Sequence, residues 1–107
     1  MEIKKGDLYF VRYYNNDRKR GRPAVVVSSD KVNASRDTVT IAYLSPVPFN
    51  GAITKTQAKL TSSGRPSIAI LEYVVSVGKN CLGDYMGHIS LEESAAIDSA
   101  LCVAFDL

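Results

Sequence analysis

Tryptophan is absent from this 107-residue sequence, histidine occurs once (His88), and cysteine twice (Cys81 and Cys102). There is no HxxxH, CxxC or paired-carboxylate spacing, so no metal centre and no cofactor is expected. A Ser-His-Asp triad would depend wholly on His88, and no Gly-x-Ser-x-Gly elbow is present to carry its nucleophile. The 7 glycines are scattered, which excludes a glycine-rich phosphate loop. No apolar run approaches the roughly 20 residues that cross a bilayer. The stretch Met1 to Asp7 has no apolar signal-peptide core, so a cytoplasmic protein without membrane attachment is expected. Two lone thiols fit a reduced compartment better than a disulfide scaffold.

A content of 46% hydrophobic and 22% charged residues excludes intrinsic disorder, and the length suits one domain over residues 1–107. The net charge of +2 conceals an asymmetry. Residues 1–36 hold nine of the 13 Lys and Arg against four acids, an excess of five, whereas residues 37–107 hold four bases against seven acids. The density peaks in Arg18-Lys19-Arg20-Gly21-Arg22. Such a positive end fits an anionic partner such as RNA or DNA, and it equally fits a solvated loop that aids solubility.

The regular signal is period two, the mark of strands. Asp7 to Tyr13 is aromatic-rich, with Tyr9, Val11 and Tyr13 on one face and either Tyr9 or Phe10 expected inside. Ala24 to Val27 reads as a strand buried on both faces, entered from a basic loop. Thr38 to Leu44 alternates Val39, Ile41 and Tyr43 against Thr38, Thr40 and Ala42. Thr54 to Leu60 reads as an edge strand, Ser62 to Pro66 as a turn, and Ser67 to Val77 as two strands or one bent strand. Leu82 to Ile89, interrupted by Gly83 and Gly87, is the last strand. Ser90-Leu91-Glu92-Glu93 is a capping box opening a helix, with Leu91, Ala95, Ile97, Leu101 and Phe105 expected on its packed face. Cys102 is placed among these core positions and Cys81 in a turn, both inert. The expected class is β-rich α+β, a small, strongly bent barrel with a C-terminal helix.

Any chemistry must therefore come from Arg, Ser, Thr and backbone groups. RNA cleavage needs little more, because the 2′-hydroxyl beside each phosphate is the nucleophile. A guanidinium can give a phosphate two parallel hydrogen bonds, and a nearby hydroxyl can hold a non-bridging oxygen.

Gly21-Arg22-Pro23-Ala24-Val25-Val26-Val27 is preceded by Gly6-Asp7-Leu8-Tyr9-Phe10-Val11 and followed by Thr40-Ile41-Ala42-Tyr43-Leu44-Ser45-Pro46. Together with Ile70-Leu71-Glu72-Tyr73, with Leu82 to Ser90 and with the final helix, this ordered set resembles the MazF/PemK family of toxin–antitoxin endoribonucleases. The resemblance implies a homodimer of SH3-like barrels that cuts single-stranded RNA without a metal, leaving a 2′,3′-cyclic phosphate. It also implies an antitoxin partner with an acidic, partly disordered tail. Arg22 matches the family's key arginine, expected to stabilise charge on the phosphate, with proton exchange a further role open to it. Ser45 stands where the family usually has threonine and would hold a non-bridging oxygen; serine keeps the hydroxyl and loses the methyl. The family's Gly-Ser-Glu-Gln-Gly-Gly loop is replaced by residues 14–21. Its Tyr14, Asn15, Asn16, Arg18, Lys19 and Arg20 are the candidate RNA-binding residues, joined by Lys79 from a segment where relatives carry a basic run.

Other readings stand beside this one. Arg22 could be structural, tied to Asp7 or Glu72. His88 fits a surface or dimer position better than a general base. The same fold also serves CcdB-like poisons of DNA gyrase, which act by protein contact, and could serve a catalytically inactive RNA-binding module.

Overall fold

The computed structural model describes residues 2–15 and 18–107, with backbone only for 14, 15, 18 and 19. Among the described residues seven strands carry the fold: β1 (Asp7–Asn15), β2 (Arg18–Val26), β3 (Thr38–Pro46), β4 (Gln57–Leu60), β5 (Ser67–Ile70), β6 (Val75–Gly78) and β7 (Leu82–His88). Two helices join them, α1 (Asp30–Ser35) and α2 (Leu91–Phe105). All pairings are antiparallel, in the order β4-β5-β3-β2-β1-β7, and β6 also pairs with β3. β3 is the hinge of the molecule. Its first half pairs with β6 and its last three residues with β5, so the sheet bends around it and stays open between β4 and β7 among the described residues. The class is β-rich α+β with a C-terminal helix.

Alternation along the central strands divides the interior in two. Leu8, Val25, Ala42 and Leu44 face one way and join Leu60, Leu71, Ile97 and Ala100. Tyr9, Val11, Ala24, Val26, Val39 and Ile41 face the other way and join Ile3 and Leu82. Ala24 to Val26 is thus buried on both faces, and of the pair Tyr9 and Phe10 it is Tyr9 that is inside. The turn before β5 and the break of Ser67 to Val77 into β5 and β6 also fall where expected, whereas edge strand β4 begins at Gln57, after a turn at Lys55 and Thr56.

Three expectations need correction. The basic run is not a loop: β1 and β2 pair continuously from Leu8↔Val25 to Asn15↔Arg18, so Arg18 to Arg22 lie on a strand. Backbone pairing carries a hairpin onward where side-chain alternation no longer registers in the sequence. The ring of Phe10 lies over Gly21, and a Cβ there would come within 2.1 Å of that ring.

The packed face of α2 is also rotated. Ile97 and Ala100 are buried and Leu101 partly so, while Leu91 is 91% exposed and Ala95, Cys102 and Phe105 are exposed too. At 100° per residue, Cys102 stands roughly 140° around the axis from Ile97, which takes it out of the core. Cys81, by contrast, packs against the second core.

Helix α1 was not signalled by periodicity, being only six residues long. Its one local sign is Ser29, whose Oγ accepts from Val32 N at 3.2 Å. The capping box of α2 is present as expected, with Ser90 Oγ accepting from Glu93 N at 3.1 Å and Glu93 Oε1 from Ser90 N at 2.9 Å.

Candidate active site

The β2–β3 register decides which side chains meet. Ala24 pairs with Tyr43 and Val26 with Ile41, so carrying the register outward sets Arg22 opposite Ser45. Val27 N donates to Thr40 O at 2.9 Å, which assigns residues 27, 25 and 23 to the hydrogen-bonded positions of this ladder. Pro23 has no N–H to offer Leu44 O at its position. That carbonyl is taken instead by Arg22 Nη2 at 3.1 Å, which also donates to Ser45 Oγ at 3.1 Å. The Arg-Pro step thus has a physical meaning: proline vacates an acceptor, and the preceding arginine is drawn across the strand end to fill it. The 22–45 position is a non-hydrogen-bonded one, where facing side chains approach most closely.

The guanidinium stacks over Tyr43, with its carbon 5.0 Å from the ring centroid. Tyr43 in turn meets Tyr13 edge-on at 6.3 Å. Burial raises the Tyr43 phenol above its usual value, with the nearby Tyr13 adding to this and Arg22 partly opposing it. The phenol stays neutral at physiological pH and leaves the positive charge of Arg22 uncompensated. Arg22, Tyr43, Ser45, Ile70 and Tyr73 line a pocket of about 130 Å³.

Neither carboxylate that could have made Arg22 structural reaches it. Asp7, 5% exposed, holds His88 Nδ1 at 2.8 Å and accepts from Lys4 N at 2.8 Å. Glu72 accepts from Thr56 Oγ1 at 2.8 Å. Among the described residues Arg22 makes no ion pair, and its other guanidinium N–H groups have no protein acceptor.

Arg22 and Ser45 are therefore brought together, and the remaining candidates are spread out. Arg20 is exposed on the same strand and borders, with Phe10, Arg12 and Gly83, a separate concavity of about 400 Å³. The side chains of Tyr14, Asn15, Arg18 and Lys19, and all of Asn16, lie outside the described residues. Lys79 follows β6, which pairs with the start of β3, whereas Ser45 is near the end of β3. Seven strand residues at roughly 3.3 Å each separate those two places. His88 is held by Asp7 at the first residue of β1, four residues before Val11, the partner of Arg22. Among the described residues no three His, Cys, Asp or Glu side chains gather as metal ligands would.

Tyr43 and Tyr73 were not singled out as site residues. Tyr43 carries a usable signal, since a residue two before Ser45 on a strand shares its face. Tyr73 has none, because it sits on the irregular 3-10 turn Leu71–Tyr73 between β5 and β6.

Solved structures similar to this chain include endoribonucleases and MazF toxins. An endoribonuclease in complex with its cognate antitoxin, from Mycobacterial species, superposes with a TM-score of 0.84 at 21% identity, over 98% of this chain and 96% of that one. The toxin MazF-mt6 of Mycobacterium tuberculosis gives 0.77 at 18% identity, over 94% and 97%. A MazE–MazF structure from Deinococcus radiodurans gives 0.82 at 12% identity, over 100% and 99%. At such identities the likeness is one of fold. No curated protein sequence matches. The family model "PemK-like, MazF-like toxin of type II toxin-antitoxin system", however, matches residues 4–105. A match of that extent leaves almost nothing of the sequence outside it, and the chain belongs to the PemK-like, MazF-like toxins of type II toxin–antitoxin systems.

Proposed function

We propose that this chain is a metal-independent endoribonuclease that cleaves single-stranded RNA at the Arg22–Ser45 pocket. The observation that carries the reading is a part-buried arginine fixed by Leu44 O and Ser45 Oγ, with no carboxylate partner and with unused N–H donors among the described residues. A phosphodiester supplies the oxygens such a guanidinium lacks, and a planar fork matches them in pairs. The 2′-oxygen attacks phosphorus and forms the O2′–P bond while the P–O5′ bond breaks. The products are a 2′,3′-cyclic phosphate and a 5′-hydroxyl; water takes the proton of the 2′-hydroxyl and returns one to the departing 5′-oxygen. Arg22 stabilises the charge that accumulates on the non-bridging oxygens, and Ser45 holds one of them. Ion pairing between Arg20 and the RNA backbone makes binding fall with salt.

The same reading includes a cognate antitoxin with an acidic, partly disordered tail, supported by the family match and by the excess of base in residues 1–36. It also includes a homodimer, supported by the apolar Leu91, Val103 and Phe105 that α2 leaves exposed. The RNA substrate assigns the protein to the cytoplasm, in keeping with the finding that no described helix is long and apolar enough to cross a membrane.

The test is incubation of a long single-stranded RNA with purified protein in EDTA, wild type against Arg22→Ala, with product ends mapped. Cuts at a recurring short sequence, bearing cyclic phosphate and absent in the variant, are expected. Intact RNA with the wild type overturns the reading, and equal cleavage by both proteins removes Arg22 from it.

A further inference from the structure

The Arg22 pocket, about 130 Å³, brings together two groups suited to a phosphodiester, the Arg22 guanidinium and the Ser45 hydroxyl. The bases next to a phosphate seated there lie toward the rim. One side chain on that rim presents a large aromatic surface to solvent: Tyr73, 68% exposed.

An exposed ring on a mobile segment would mean little, but this one stands on a fixed base. Leu71, two residues before it, is fully buried in the helix-side core, and Leu71 N donates to Thr56 O at 2.8 Å. Glu72 is tied to Thr56 Oγ1, and Val74 packs against the same core. The turn is held on both sides while the ring between them stands largely in solvent. Tyr43 and Tyr13 are engaged elsewhere, Tyr43 beneath Arg22 and Tyr13 against the edge of Tyr43. Among the described residues that line the pocket, Tyr73 is thus the aromatic side chain left largely exposed.

We propose that Tyr73 is a nucleobase platform: a base adjacent to the phosphate held by Arg22 and Ser45 stacks on its ring, orienting the RNA at the cut. This rests on the ribonuclease reading and adds the position of a neighbouring base. Stacking is tolerant of base identity, so the ring itself supplies affinity and alignment rather than hydrogen-bond readout.

The test uses a short oligoribonucleotide containing one mapped cleavage site, and copies of it with an abasic sugar on either side of the cut. Tyr73→Ala should lower kcat/KM by ~5- to 150-fold, with an unchanged melting temperature because the ring is exposed. Tyr73→Phe, which keeps the ring, should recover most of the kcat/KM that Tyr73→Ala loses. One abasic position should cost the wild type a similar factor and cost Tyr73→Ala nothing further. Full activity of Tyr73→Ala, or the same abasic loss in both proteins, overturns the platform and leaves the ribonuclease reading standing. Failure of the wild type to cut the intact oligoribonucleotide overturns both.

Discussion

Neighbouring residues of the same strands build two unlike faces. On one, Leu8, Val25, Ala42 and Leu44 are covered by α2 through Ile97 and Ala100. On the other, Tyr9, Ala24 and Ile41 form a core that continues toward Tyr43, Arg22 and Ser45, which remain partly open. The helix covers the first face with aliphatic side chains, which have no use except burial. The second face ends in groups that, among the described residues, retain unsatisfied donors, and in a neutral phenol. Where a layer closes the sheet the residues make stability; where the layer is missing they are available for a ligand. The two functions are separated by the thickness of one sheet, so substitutions should separate them.

The largest effect is expected from Ile97→Ala. It opens a cavity under α2 and should cost about 2–5 kcal/mol in denaturant unfolding, while the folded fraction cleaves RNA at the wild-type rate. A loss of turnover in folded protein would mean the two faces are coupled. Arg22→Ala is the mirror experiment, with cleavage falling ~10²- to 10³-fold and stability changing by no more than about 1.5 kcal/mol. A greater loss of stability would return Arg22 to a structural role.

Acid separates the faces in another way. Glu93 lies on the helix side, where its carboxylate accepts from Thr61 N at 2.6 Å, from Ser90 N and from the hydroxyl of Ser62. Burial alone would raise its pKa, but these hydrogen bonds outweigh it and hold the group at about 2, against an ordinary 4.5. The folded value lies below the unfolded one, so the carboxylate contributes fully above pH 4.5 and loses that contribution as the pH falls toward 2. Unfolding followed from pH 6 to pH 2 should show this loss in the wild type, and Glu93→Gln should be less stable at pH 6 and flatter through the window. An identical slope in both proteins would place the acid sensitivity elsewhere.

The smallest effect belongs to Ser45. Removing one neutral hydroxyl partner should slow cleavage by ~2- to 10-fold in Ser45→Ala, whereas Ser45→Thr keeps the oxygen and should match or exceed the wild type. A Thr variant as slow as Ala would show that the serine is needed for its size rather than its hydroxyl.

Much of this arrangement was legible in the residues themselves. Alternation marked β1 and β3, a β-branched run marked the doubly buried end of β2, and Ser90 with Glu93 marked the start of α2. Arg22 and Ser45 were accessible through the Arg-Pro step and the resemblance built around it. Other features were not readable. The pairing of residues 12–15 with 18–21 runs by backbone hydrogen bonds, to which side-chain pattern is blind. The rotated face of α2 depends on which side chains the sheet presents beneath it, and Tyr73 gains its meaning from a pocket assembled by β2, β3 and β5. Glu93 was legible as a cap but not as the anchor of the turn after β4, because a carboxylate's second oxygen leaves no trace in local spacing.

What the sequence determined alone was therefore local and one-dimensional: the period of each strand, the cap of the helix, the proline that frees the carbonyl of Leu44. Only the tertiary structure decided which face would be covered, and that Arg22 would meet a hydroxyl and an aromatic ring instead of Asp7 or Glu72. The physical reason is that periodicity reports the two sides of a strand but not what stands opposite either one. That depends on register and on the packing of distant segments, where hydrogen bonds and burial choose partners separated by twenty or more residues.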